Sequence, residues 1–265
     1  MVVIAVCSLK GGVGKTSVTL GMTSAAREAG LRTLVVDLDP QGDSTAGLDI
    51  EDEVTSSSAL VIEEPRRRNL RAATRRSHWS EGAAAPIDVV VGGLDLARLD
   101  RTDLSSRGLT SLRTVLDKVD DEYDLVIVDC PPSLGGLTRI GLAAADRAVI
   151  VTEPGVFAIA AADRALRAVH EVRTSLAPRL QPLGIVINRV RAHIGEHQYR
   201  VEELTSLFGP LVLSQHIPER TSVQRAQGAY APIHAFRGSG AREVAGLFDG
   251  ILAHALRAAR RTAGR

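Results

Sequence analysis

Six short, almost uninterrupted apolar runs punctuate the chain: Val2–Cys7, Thr33–Asp37, Ile87–Val91, Leu125–Asp129, Ala148–Thr152 and Leu183–Asn188. A strand with one face in water alternates apolar and polar residues, whereas a strand covered on both faces has no need to. Helical patterns lie between the runs: Thr16–Ala29, closed by Gly30, then Ser105–Val119 and Ala158–Leu176. Near the end, Ala241–Arg261 places Val244, Leu247, Phe248, Ile251, Leu252, Ala255 and Leu256 on one helical face. Buried strands alternating with helices predict a doubly wound α/β fold, a mostly parallel sheet with helices on both faces.

Composition narrows the class. The 265 residues carry 32 Lys plus Arg against 31 Asp plus Glu, a formal charge of +1, with 45% hydrophobic residues. That excludes a disordered chain and a supercharged tail. No linker or repeat divides the sequence, so residues 1–265 are expected to form one domain. It would hold an arginine-rich variable insertion at 51–86 and end in a frayed basic tail at 257–265. The insertion, with six arginines between Arg66 and Arg76 and the lone Trp79, is read as loop plus a short helix. Its arginines are either a solvated face or a contact to phosphate or an acidic partner. Two cysteines, Cys7 and Cys130, make no disulfide framework. No apolar run reaches the roughly 18 residues of a membrane span, and the start lacks the features of a secretory signal. A cytoplasmic protein is expected.

Only three lysines occur, Lys10, Lys15 and Lys118, and two of them sit in Lys10-Gly11-Gly12-Val13-Gly14-Lys15-Thr16. This segment follows a predicted strand and opens a predicted helix, as a phosphate-binding loop must. Glycines let successive N–H groups turn inward on a phosphate, and the helix start adds its positive dipole end. Lys15 is placed to reach the β- and γ-phosphates and the Thr16 hydroxyl to bind Mg²⁺. Gly11, Gly12, Val13, Gly14 and Ser17 complete the cradle. The loop departs from the ordinary G-x-x-x-x-G-K-[ST] pattern, with Leu9 where that pattern has its first glycine and lysine at position 10.

K-G-G-V-G-K-T resembles the deviant Walker A loop of the ParA/MinD family of dimeric ATPases. The resemblance implies that Lys10 reaches across a dimer interface to the partner's nucleotide. Asp37-Leu38-Asp39-Pro40-Gln41-Gly42 resembles the family's D-x-D-P-Q-G segment. It implies that Asp39 orients the attacking water and that Asp37 supports the Mg²⁺ region. Tyr123–Ser133, with four apolar residues ending in Asp129, looks like a Walker B strand whose aspartate holds Mg²⁺ through water. By the same resemblance, Asn188 reads the adenine edge and Pro218 and Glu219 flank the base.

Asp39-Pro40-Gln41 is similar to the ParA branch, which partitions DNA. The resemblance implies an ATP-driven sandwich dimer on nonspecific double-stranded DNA, associated with the nucleoid, and hydrolysis stimulated by a ParB-type partner. Turnover would be slow without that partner. The family's DNA surface falls in the C-terminal third, where Arg191, Arg200, Arg220, Arg225 and Arg242 are candidates, with Arg189 and Arg237 beside them. Relatives often read I-P-R-N-x-R-L-S-E-A there. This chain has lost arginine at Glu219 and Ser222 and gained it at Arg220 and Arg225. The alternative is a MinD-like or cargo-positioning ATPase acting at a membrane or on a protein. The tail after Leu256 lacks an apolar face, so no stable membrane anchor is expected. His193 and His197 are read as surface histidines, and no nucleophile–base–acid set is visible from spacing.

Overall fold

The computed structural model describes residues 1–50, 56–100 and 104–263. Seven strands form one sheet: β1 (Val2–Cys7), β2 (Thr33–Asp37), β3 (Thr74–Arg76), β4 (Ile87–Val90), β5 (Leu125–Asp129), β6 (Arg147–Thr152) and β7 (Gln181–Ile187). Their spatial order is β3-β4-β2-β5-β1-β6-β7. Every pairing is parallel except β3 with β4. The fold is doubly wound α/β. From β1 the chain moves to β2 and then β4, returns to insert β5 between β1 and β2, and continues to β6 and β7 on the other side. This reversal opens a crevice beyond the carboxyl ends of β1, β2 and β5, where ligands bind in such sheets.

Alternate strand residues feed opposite cores. Val3, Ala5 and Cys7 join one hydrophobic cluster, and Ile4 and Val6 join the other. The first is covered by α3 (Ser58–Glu63), α4 (Arg67–Ala73), α6 (Ser111–Leu116), α7 (Gly136–Ala144) and α8 (Ala158–Ser175), with Leu204 of α9 (Gly195–Phe208) at its margin. The second lies under α1 (Lys15–Glu28), α10 (Thr221–Gly228) and α11 (Ser239–Ala263). On α11, Val244, Phe248, Ile251, Leu252 and Ala255 are buried, with Leu247 and Leu256 at the edge. Each large one contributes roughly 1.5–3 kcal/mol on burial. Gly21 lets α11 approach α1, because a Cβ there would lie 2.2 Å from the Phe248 ring.

The expected elements hold within a residue or two, with three exceptions. Ser105–Val119 is not one helix. It breaks at Thr110 into α5 (Ser106–Leu109) and α6, then tightens into a 3₁₀ turn over Asp117–Val119. The expected frayed tail instead continues α11 to Ala263, and residues 264–265 lie outside the described residues. The third is the 51–86 stretch, of which 51–55 also lie outside. Its remainder holds α3, α4, edge strand β3 and a 3₁₀ turn at His78–Ser80. Ala59, Val61, Leu70 and Ala73 enter the core, and Trp79 packs with Leu20, Val35 and Leu48.

Its arginines are largely paired within the chain: Arg67 and Arg71 share Glu122, Arg76 meets Asp88 at 2.5 Å and Arg66 lies 3.8 Å from Glu64. No described helix is long and apolar enough to cross a membrane. One hydrogen-bonded row escaped the sequence reading. Ser24 Oγ lies 2.6 Å from His234 Nδ1, and His234 Nε2 lies 3.1 Å from Asp249. Ser24 is fully buried, so no substrate reaches it, and the row ties α1 to α11.

Candidate nucleotide site

The glycine loop bridges β1 and α1 at the crevice. Gly12 (φ +79°) and Gly14 (φ +85°) take the left-handed backbone that the turn requires. At Gly14 a Cβ would also lie 2.3 Å from Asn188 Nδ2, so glycine is doubly required. Lys15, at the start of α1, is buried, and its Nζ lies 3.6 Å from Asp39 Oδ2, also buried. Strand register puts Asp37 of β2 beside Asp129 of β5. Thr16 Oγ1 donates to Asp129 Oδ2 at 2.9 Å, and Ser44 Oγ donates to the same oxygen at 2.5 Å. Asp129 Oδ1 is buried and has no hydrogen-bond partner. Such an acceptor is costly to leave unpaired and calls for a cation or its water. Burial raises the Asp129 carboxyl, and the nearby Lys15 charge opposes this.

Asp37, expected to support the Mg²⁺ region, is buried and held by protein donors. Its Oδ2 accepts from the N–H and hydroxyl of Thr45, and its Oδ1 accepts from the Asp39 N–H. These bonds brace the turn that leads from β2 into α2 (Asp43–Gly47), while register keeps Asp37 beside Asp129. Asp39 Oδ1 accepts from the Gln41 N–H, which leaves Oδ2 toward Lys15. Burial, then the Asp129 charge, push the Asp37 carboxyl up to about 7 from 3.8. Between those values the folded state binds more protons than the unfolded chain. Asp37 therefore contributes stability that is complete below pH 3.8 and is lost as pH rises through about 7. Asp37→Asn, which retains an acceptor for Thr45, is expected to flatten this decline in melting temperatures taken from about pH 5 to about pH 8. An undiminished slope would remove Asp37 as its source.

A cavity of about 550 Å³ lies over the loop, lined by Gly12, Gly14, Lys15, Thr16, Asp39, Pro132, Arg189, Gln227 and Tyr230 among others. Beside it, a cavity of about 190 Å³ is lined by Ser17, Asn188, Arg189, Pro218, Glu219 and Gln227 among others. The three residues expected around a base are thus brought together next to the phosphate loop. Asn188 Nδ2 is committed to the Val13 carbonyl at 2.8 Å.

Lys10 is half exposed on the outer side of the loop, and its Nζ meets Glu153 at 2.5 Å. Gly11 projects into open space. Val13 is buried under the loop, and the Ser17 hydroxyl accepts from Gln227 Nε2 at 2.8 Å.

Sequence reasoning missed Ser44, Thr45, Glu153 and Gln227. The first two follow the Asp37–Gly42 segment after Asp43, and their position in sequence was the available signal. No local signal marked the other two.

The candidate DNA arginines separate into two groups. Arg191 is paired with Glu219, Arg200 with Glu196 and Glu203, and Arg220 with Glu243. Arg225, Arg237 and Arg242 are exposed and make no ion pair among the described residues. Arg189 lies on the phosphate loop. The His197 Nδ1 accepts from the Arg191 N–H, and the described residues contain no cluster of His, Cys, Asp and Glu suited to a metal. Cys7 and Cys130 are buried, and burial pushes the Cys7 thiol up to about 12.

Comparison with known proteins agrees with this geometry. The AAA_31 family, described as an AAA domain, matches residues 1–182. The chromosome-partitioning ATPase Soj of Treponema pallidum is 30% identical over 86% of this chain and 87% of its own length. The chromosome partitioning protein ParA of Myxococcus xanthus is 31% identical over 87% and 80%. Among solved structures, cobyrinic acid a,c-diamide synthase from Mycobacterium smegmatis, with bound ATP analogue and magnesium, superposes with a TM-score of 0.78. It is 27% identical and covers 96% of this chain and 95% of that one. The buried lysine and aspartates beneath the loop, the outward Lys10 and these matches place the chain in the AAA_31 family as a ParA-type ATPase.

Proposed function

We propose that the chain binds ATP with Mg²⁺, forms a sandwich dimer in the ATP state, holds nonspecific double-stranded DNA as that dimer, and releases it on hydrolysis. The observation that carries this reading is the set beneath the loop: Lys15 against Asp39, and Asp129 with one buried oxygen unpaired. Thr16 and Asp129 are the residues to hold Mg²⁺, which neutralises phosphate charge when bound. Lys15 binds the β- and γ-phosphates, Asn188, Pro218 and Glu219 enclose the base, and Asp39 orients the water.

Lys10 serves the partner subunit's nucleotide, and to do so it leaves Glu153. A cation supplied in trans stabilises the charge of phosphoryl transfer and makes turnover depend on dimerisation. Val156 and Phe157 follow β6 close to Glu153 and are 65% and 71% exposed, apolar surface that a second subunit would cover. A ParB-type protein is the activator that this reading expects, with segregation of DNA as the outcome.

The DNA surface is assigned to Arg225 and Arg242, with Arg237 between them in sequence. Arg191, Arg200 and Arg220 are already neutralised by carboxylates and fit a structural role. Binding to random duplex DNA is measured with no nucleotide, ADP, ATP and a non-hydrolysable analogue across a salt series. Binding confined to the ATP states and weakening steeply with salt is expected. Arg225→Ala or Arg242→Ala lowers the slope of log affinity on log salt by about 2 per dimer, roughly one for each lost phosphate contact. Arg200→Ala leaves the slope unchanged. An ATP dimer that ignores DNA in every state would move a membrane or protein cargo to the front.

A further inference from the structure

Two consecutive residues at the end of β7 grip two consecutive carbonyls of the phosphate loop. Asn188 Nδ2 donates to Val13 at 2.8 Å, and Arg189 Nη1 donates to Gly12 at 2.5 Å. Arg189 takes a left-handed backbone, φ +56°, uncommon for a residue with a side chain and concentrated where function demands it. That backbone turns its guanidinium onto the loop, where it makes no ion pair among the described residues. The tip it holds is otherwise unsupported by packing, since nothing lies within 4 Å of a Cβ built at Gly11 or Gly12. Besides Arg189, the tip is held by the Ser8 hydroxyl on the Lys10 carbonyl at 3.0 Å and by Glu153 on the Lys10 ammonium.

We propose that Arg189 is a positioning residue for the loop tip: by fixing the Gly12 carbonyl it sets the direction from which Lys10, two residues earlier, approaches a second subunit's nucleotide. This rests on the ATPase reading above. Arg189 then acts through Lys10, and the Lys15 end of the loop keeps its own hold on phosphate. Losing the guanidinium costs turnover and ATP-driven dimerisation while the isolated subunit still binds ADP.

The test uses Arg189→Asn, since asparagine tolerates the left-handed backbone, and Arg189→Lys, which keeps a long donor. Both are compared with wild type for ADP affinity by calorimetry, ATP-driven dimerisation by light scattering, and phosphate release. Arg189→Asn is expected to hold ADP within about threefold of wild type and to lose about tenfold or more in turnover, with Arg189→Lys recovering most of it. In a Lys10→Ala background, Arg189→Asn is expected to cause no further loss, because residues acting as a unit are not additive. A further, additive loss in the double variant, or an equal loss of ADP affinity, would overturn the inference. Wild-type turnover in Arg189→Asn alongside an impaired Lys10→Ala would overturn it and leave the ATPase reading standing. Full turnover in Lys10→Ala would overturn the trans role of that lysine and the inference with it.

Discussion

Lys15→Ala lowers ATP affinity by at least about a hundredfold, since two charge-assisted hydrogen bonds to phosphate are worth about 3 kcal/mol or more. Calorimetric titration with ATP and Mg²⁺ measures it. The variant also changes the nucleotide-free protein. Lys15 is the cation against which Asp39 and Asp129 are arranged, and it is 7% exposed. Removing one member of a buried ion pair costs about 3–5 kcal/mol because the other charge stays behind unpaired. The melting temperature of Lys15→Ala should therefore fall at neutral pH, and the deficit should shrink at lower pH as Asp129, whose carboxyl burial already raises, takes up a proton. Normal ATP affinity in this variant would place the phosphate site elsewhere.

Asp39→Ala reduces turnover by about a hundredfold or more, the span expected for a group that orients or deprotonates the nucleophile. ATP binding survives, because Lys15, Thr16 and the loop N–H groups are untouched. On the proposed reading the ATP dimer persists, visible by light scattering long after wild type has decayed. Asp39 also accepts from the Gln41 N–H, so alanine could loosen the turn. Asp39→Asn keeps that acceptor and separates the effects: if turnover is lost in both variants, the carboxylate is the cause. If Asp39→Ala released phosphate at the wild-type rate, the water-orienting assignment would be wrong.

Much of the fold was legible because its information is local. Strands β1, β2 and β5 begin and end at the residues where the apolar runs do, since both faces of each are buried and no alternation blurs the limits. Ser105–Val119 was misread as one helix because its apolar period continues through Thr110, where the backbone nonetheless breaks. The stretch after Ser56 was misread for a different reason. Its helices are short, and only packing against each other, α6 and the rest of the cluster lets Val61, Leu70 and Ala73 be buried. Short helices have little stability of their own, so tertiary packing decides whether they form.

The site divides in the same way. Lys15, Thr16, Asp39 and Asp129 could be singled out in the sequence because each stands in the glycine loop or at or just past the end of an apolar run, and the fold brings them together. That Asp37 accepts from Thr45 depends on which donors fold back over β2. The sorting of the C-terminal arginines depends on carboxylates brought up by other segments, such as Glu243 of α11 beside Arg220. Glu153, 143 residues from Lys10, and Arg189, 177 residues from Gly12, become neighbours only because β6 and β7 end at the same edge of the sheet as β1. By itself the sequence determined the layered sheet and the chemistry of the loop, whose interactions are periodic or adjacent. Which charges are spent and which stay free was decided by the tertiary structure, because ion pairs form between surfaces that only folding brings together.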